Sequence, residues 1–376
     1  GEGEFALLDL VRALETRDPA SLESVANLWY RKDGVPVGNP LRPLNRDLDA
    51  LPYPDKSIYY RHVPGYAHCY KLTAARGCPH VCTFCYHSWW REMYKGNGGY
   101  VRRRSVDAVI EELKEAKCRW NPRIVRFNDE DLSHHKGWIA EFTERYRREI
   151  GLPFWCYSHP ATMDADKARM LKNAGCYRTE LGVQAIWDES KKILGRVETV
   201  DQIRDSFRVL REAGVPVAAD NLFYVPGQTI EELEDMARFY NHNRVDITQN
   251  AALHYFPRIP IIETAKTHGI LSEEHIRDLN EAPADKMVLY ASFEFDKAVE
   301  RLRAYMSLLL LLPKRVNDAI IRRRWWRFIP VLHPIFVFGF VSAFHAPKAD
   351  FWYERRHKDR YRRFISLRLR EAFGFA

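Results

Sequence analysis

The sequence has no opening methionine, no basic stretch leading into an apolar run at its start, no even number of cysteines, and no net charge over most of its length. Each absence excludes something. Seven cysteines cannot all pair, and without a secretory pattern a disulfide framework is not expected; a reducing, cytoplasmic compartment is, with thiols free for metal or redox work. The formal charge of +8 belongs to the tail: from Lys314 onward there are 15 Lys and Arg against 5 Asp and Glu, leaving 43 against 45 in the first 313 residues. Nucleic-acid binding is therefore not expected of the main body. The stretch Phe328 to Phe344 has 17 residues without a formal charge but is broken by two prolines, a glycine and a histidine, which makes it a poor transmembrane helix. What remains is 376 residues at 46% hydrophobic content, enough for one large core with appendages.

The middle of the chain alternates extended and helical patterns. Apolar runs at Tyr70 to Ala75, Arg123 to Phe127, Phe154 to Ser158, Arg178 to Val183, Val217 to Val225 and Ile247 to Phe256 read as six strands. Between them, Val106, Val109, Ile110 and Leu113 recur at helical spacing after Ser105. Asp164 opens a helix that ends at Gly175, and Ile203, Phe207, Leu210 and Ala213 precede Gly214. Thr229 with Glu232 fits a capping box. Strands alternating with helices predict a parallel α/β sheet, here an open, partial (β/α)6 barrel of the TIM type, over residues 61–280. Residues 1–60 and 281–376 differ from it. The first contains a proline-rich linker, 39–55, expected to wrap onto the barrel; the second is expected to be a helical, hydrophobic and basic C-terminal extension.

Directly after the first strand stands CPHVCTFC, with Cys78, Cys82 and Cys85 in eight residues. Loops at the carboxyl ends of barrel strands carry active sites, and thiolates are ligands for zinc and for iron–sulfur clusters. A structural zinc site needs four protein ligands. His80 or His87 could supply one in a cramped loop, but no second cysteine pair of that kind exists. A cluster held by three cysteines instead leaves one iron open to a substrate or cofactor.

The motif resembles the CxxxCxxC signature of the radical S-adenosylmethionine (radical SAM) superfamily. Cys78, Cys82 and Cys85 match the cluster ligands, Arg76 and Gly77 the residues that often precede them, and Phe84 the aromatic position before the third cysteine. The resemblance, from about Tyr70 to Leu271, implies a [4Fe-4S] cluster whose open iron binds SAM and, once reduced, splits it to methionine and a 5′-deoxyadenosyl radical. Asn128, Asp129 and Glu130 match the motif that meets the SAM amino group, where charge-assisted hydrogen bonds suit an ammonium. Gln184 takes the place of the usual ribose-binding glutamate. Arg196 matches the partner of the SAM carboxylate, and the backbone near Val225 an adenine contact. The resemblance also implies a reductant such as flavodoxin or ferredoxin.

Within that superfamily the chain resembles the cobalamin-associated subgroup, in which a cobalamin domain ends in GEGE, an amphipathic helix and a proline-rich linker. Gly1 to Glu4, Phe5 to Leu14 and residues 39–55 look like that junction, so the chain starts where such a domain would finish. DLSHHKG, from Asp131, does not fit the DxHxxG cobalamin motif. The implied chemistry is methyl transfer to an unactivated carbon, or radical oxidation or cyclisation, on a small molecule. Trp325 and Trp326 beside Arg322 to Arg324, with Trp352 and Tyr353 beside Arg355 and Arg356, read either as a membrane-surface anchor, favouring a lipid-like substrate, or as an element packed on the barrel. An RNA-modifying radical enzyme and a zinc-stabilised binding module are the rival readings.

Overall fold

The structure is a computed structural model, and it describes residues 2–281 and 296–331. Among the described residues ten strands occur in chain order: β1 Trp29–Lys32, β2 Val35–Gly38, β3 Cys69–Leu72, β4 Ala75–Arg76, β5 Arg102–Arg103, β6 Ile124–Phe127, β7 Phe154–Ser158, β8 Cys176–Gln184, β9 Val217–Phe223 and β10 Ile247–Ala252. Six of them form one parallel sheet in the order β3, β6, β7, β8, β9, β10, so each strand lies beside its predecessor in the barrel. Helices Val106–Trp120, Lys136–Glu149, Ala165–Asn173, Val200–Ala213 and Ile230–His242 make the five crossovers. This is the expected partial (β/α)6 barrel, open between β3 and β10.

Local chemistry explains the boundaries. Ser105 and Asp164 accept from Ala108 N and Lys167 N at 3.0 and 2.9 Å as N-caps, and Gly214 ends its helix at φ +75°. The expected capping box at Thr229 is only half formed. Thr229 caps Glu232 N, but the Glu232 carboxylate turns away to accept from Ser190 Oγ at 2.7 Å, a tertiary bond outcompeting the local one. The full box is at Thr199 and Gln202. Helix Lys136–Glu149 was not anticipated: its cap is His135, and its apolar stripe, Trp138, Ile139, Phe142 and Tyr146, sits among seven charged residues.

Between sheet and helices, Phe127, Phe142, Tyr146 and Phe154 are fully buried with neighbouring ring centroids 4.9–6.2 Å apart, and Trp138 stacks on Phe142 at 4.8 Å. The 39–55 linker lies on the barrel: Leu44 and Leu48 are buried, and Leu44 N donates to Asn97 O at 2.9 Å. The β1–β2 hairpin upstream was not expected.

The described part of the C-terminal region, helices Lys297–Leu309 and Lys314–Arg322 and the turn Trp325–Phe328, packs on helix Ile230–His242 and β10. This corrects the anchor reading for Trp326, which is fully buried and donates Nε1–H to Glu234 Oε1 at 2.9 Å, while Trp325 is 45% exposed. A buried indole N–H needs an acceptor, and a barrel carboxylate supplies it. Most of the Phe328 to Phe344 run, with Trp352 and Tyr353, lies outside the described residues. No helix among the described residues is long and apolar enough to cross a membrane.

Candidate active site

The cysteine loop leaves β4 at Gly77, whose φ of +82° and close approach to Tyr100 require glycine: a Cβ there would sit 2.2 Å from Tyr100 O. Residues between the cysteines lock the loop onto the segment after β8. Thr83 N donates to Leu194 O at 3.0 Å and Thr83 Oγ1 to Ile193 O at 2.6 Å, and a Cβ on Gly195 would meet Val81 O at 2.9 Å. On the other side Ile261 N donates to Thr83 O at 3.2 Å, tying in helix Ile261–Thr267. Arg91 donates to Cys78 O and lies 4.9 Å from the Tyr100 ring centroid.

Asn128, Asp129 and Glu130 follow β6 beside this loop. Asn128 N donates to Leu72 O at 2.8 Å, and fully buried Asp129 accepts from Ala74 N at 2.9 Å with Arg103 at 3.8 Å. Burial, opposed by those hydrogen bonds and by Arg103, raises its carboxyl to about 6. Glu130 stays accessible, 3.0 Å from His87 Nε2 and accepting from Tyr86 OH at 3.3 Å. It lines a cavity of about 360 Å³ together with Asn128, Tyr86, His87, Trp90 and Tyr100. Glu2 and Glu4, from the GEGE stretch, close the same cavity. Glu2 pairs with Arg76 at 2.9 Å and Arg102 at 2.6 Å, next to Gly77.

Two adjacent strands end in left-handed backbone at residues other than glycine: Gln184 (φ +66°) at a register shift after Gly182, and Tyr224 (φ +65°) just after β9. Such residues cost on the order of 1–3 kcal/mol and cluster at functional sites. Val225 is buried in an apolar cluster with Ala185, Leu194 and Ile261, against which Phe84 packs, so the two expected apolar cofactor contacts share one surface. Arg196 reaches the cysteine loop. Its Nε donates to Glu198 Oε1 at 2.7 Å, Nη1 to Cys82 Sγ at 3.6 Å, and Nη2 to Gly182 O.

A buried polar network that the sequence reading did not single out underlies the loop. His80 stacks on His159 at 3.6 Å, His80 Nε2 lies 3.5 Å from Asp131 Oδ2, and His159 Nε2 lies 3.7 Å from Glu198 Oε2. Burial first, then Arg196, His80 and His134, hold His159 down to about 2, so it is neutral. His80 lies inside the signature and His159 near a predicted strand end, where the sequence assigns it no role, but nothing in the spacing marks Glu198. Only the fold brings the loops after β6, β7 and β8 together.

The thiols fit an iron–sulfur cluster. All three are free cysteines; Cys78 and Cys82 are buried and Cys85 partly so. Burial foremost, with Glu130 and neighbouring thiols adding to it, pushes Cys78 up to about 12 and Cys85 to about 11, against a backbone hydrogen bond to each. Cationic metal would release those protons. Among the described residues no three His, Cys, Asp or Glu side chains are arranged around a single ion. A cubane, which offers each thiolate its own iron, does not require that.

Residues 72–240 match the Radical SAM superfamily profile, so the chain carries a radical SAM domain, the domain of an enzyme superfamily whose cofactors are a [4Fe-4S] cluster and SAM. The chain is similar to an uncharacterized methyltransferase of Pyrococcus horikoshii, 24% identical over 82% of this chain and 66% of that protein. It is also similar to the anaerobic magnesium-protoporphyrin IX monomethyl ester cyclase of Rubrivivax gelatinosus, 27% identical over 64% of this chain and 44% of that one. It thus spans roughly half the length of these relatives. Its fold is that of the cobalamin-dependent SAM radical enzyme OxsB, solved with aqua-cobalamin and SAM bound (TM-score 0.63, 15% identity, 95% of this chain and 58% of that one).

Proposed function

We propose that this chain is the SAM-cleaving portion of a cobalamin-associated radical SAM enzyme that methylates an unactivated carbon of a small molecule, or oxidises or cyclises it. The observation that carries this is the cysteine loop locked by Thr83 and Arg196 onto the segment after β8, at the carboxyl end of a parallel sheet. When bound, the cluster and SAM supply one-electron cleavage of a carbon–sulfur bond.

The chain's own residues bind and orient. Cys78, Cys82 and Cys85 hold the cluster. Glu130 and Asn128, at the cavity wall, receive the SAM ammonium, and buried Asp129 braces them through Ala74 N. Gln184 addresses the ribose, and Phe84 with Val225 gives the adenine an apolar seat. Arg196 stands on the side where the SAM carboxylate is expected. Residues 1–60 are read as the end of a cobalamin domain plus its linker, and 281–376 as a capping extension. Exposed Trp325 and Phe328 beside Arg322 to Arg324 support a membrane-surface contact and a lipid-like substrate, which binding to anionic vesicles at low salt tests.

The test is anaerobic reconstitution with SAM and dithionite, with and without methylcobalamin, following 5′-deoxyadenosine and S-adenosylhomocysteine by mass spectrometry. 5′-Deoxyadenosine is expected in both; S-adenosylhomocysteine that depends on cobalamin marks methyl transfer. Neither product, with zinc in the protein, would overturn the proposal in favour of a zinc-stabilised module.

A further inference from the structure

The guanidinium of Arg196 is nearly sealed from water, its side chain 4% exposed, and so is Glu198 at 0%. A buried ion pair costs several kcal/mol in desolvation and is often no more stabilising than apolar residues of the same volume, so its presence calls for another reason. The geometry supplies one. Glu198 Oε1 takes both Nε (2.7 Å) and Nη2 (2.6 Å), and Gly182 O accepts from Nη2 as well. That leaves Nη1 fixed 3.6 Å from Cys82 Sγ. Glu198 Oε2 is buried without a hydrogen-bond partner, 3.7 Å from His159 Nε2. Among the described residues the carboxylate's hydrogen bonds therefore come from the arginine, and each group fixes the other. Gly182 and the Gly195 turn against Val81 place this pair at the cysteine loop.

Resting on the reading that these cysteines hold a [4Fe-4S] cluster, we infer that Arg196, fixed by Glu198, is a positioning residue acting through Cys82. Its charge-assisted N–H···S contact sets the potential at which the cluster accepts an electron from its reductant. A cation and a donor at a ligand sulfur stabilise the more negative, reduced cluster and raise its potential, while the adjacent carboxylate offsets part of that charge. The step is uptake of one electron from flavodoxin, ferredoxin or dithionite, with no bond made at the protein.

The experiment is an EPR-monitored redox titration of the reconstituted full chain, without SAM, for wild type, Glu198→Gln and the double variant Arg196→Gln/Glu198→Gln, with thermal unfolding as a check on folding. Glu198→Gln keeps the shape and an acceptor for Arg196 but removes the offsetting charge, so its midpoint rises above wild type. The double variant is neutral, and the shorter side chain at 196 no longer brings a cation to Cys82 Sγ, so its midpoint falls below. An unchanged midpoint in Glu198→Gln, or one shifted downward, overturns the inference even where the double variant fails to fold. Wild-type protein that takes up no iron–sulfur cluster overturns the parent reading, and this inference with it.

Discussion

The two faces of the same strands follow opposite chemistry. Outward from β6 and β7, against helix Lys136–Glu149, Phe127, Phe154, Phe142 and Tyr146 meet mainly edge to face with no exposed surface. At the carboxyl ends of β6 to β9 stand buried Asp129, Glu198 and His159 and the nearly sealed side chain of Arg196, and the backbone turns left-handed at Gln184 and Tyr224. Stability resides in the first region and reactivity in the second: the apolar layer tolerates no charge, and the strand ends hold charge and strain only because that layer fixes them.

Alanine at Cys78, Cys82 or Cys85 has the largest effect expected on function. It abolishes SAM cleavage, read as 5′-deoxyadenosine, while the circular dichroism spectrum stays native; turnover in any of the three would erase the distinction between the regions. Phe154→Ala acts on the other side, costing about 3–5 kcal/mol in denaturant unfolding. The same magnitude is expected for buried Trp326→Ala, against roughly 0.5 kcal/mol or less for Trp325→Ala, and equal effects of the two tryptophans would refute the packing of the C-terminal segment. Gly77→Ala forces a Cβ onto Tyr100 O and costs about 2 kcal/mol or more together with cluster occupancy; Gly99→Ala, with nothing within 4 Å, leaves both unchanged.

A further effect is one of pH. Asp129 holds its proton to about 6 in the folded protein against 3.8 unfolded, so the native state binds more protons between those values. Stability falls as pH rises from about 4 to 6 and is level above, by at most about 3 kcal/mol. Asp129→Asn flattens that slope in unfolding measured across the range, and a slope identical to wild type would place the titration elsewhere.

The strands and most of the crossover helices were legible because residues such as Phe154 on a strand, and Val106, Ile110 and Leu210 on helices, repeat with the period of their element, and burial of one face enforces that period. The cysteines were legible because three thiols in eight residues have few other uses. The network was not: Glu198 follows a lone valine after Arg196, His159 stands near a strand end with no role legible, and their meeting depends on which loops the barrel brings together. Helix Lys136–Glu149 shows the same limit, its aromatic stripe interspersed with charge.

The most direct test of the central claim is the metal content and EPR spectrum of the anaerobically reconstituted, dithionite-reduced chain before and after SAM is added. Bound iron and sulfide, with a reduced-cluster signal whose shape changes on addition of SAM, is the predicted result, because only a three-cysteine cluster leaves an iron for SAM to reach. Stoichiometric zinc with no such signal, or a cluster spectrum indifferent to SAM, would contradict it.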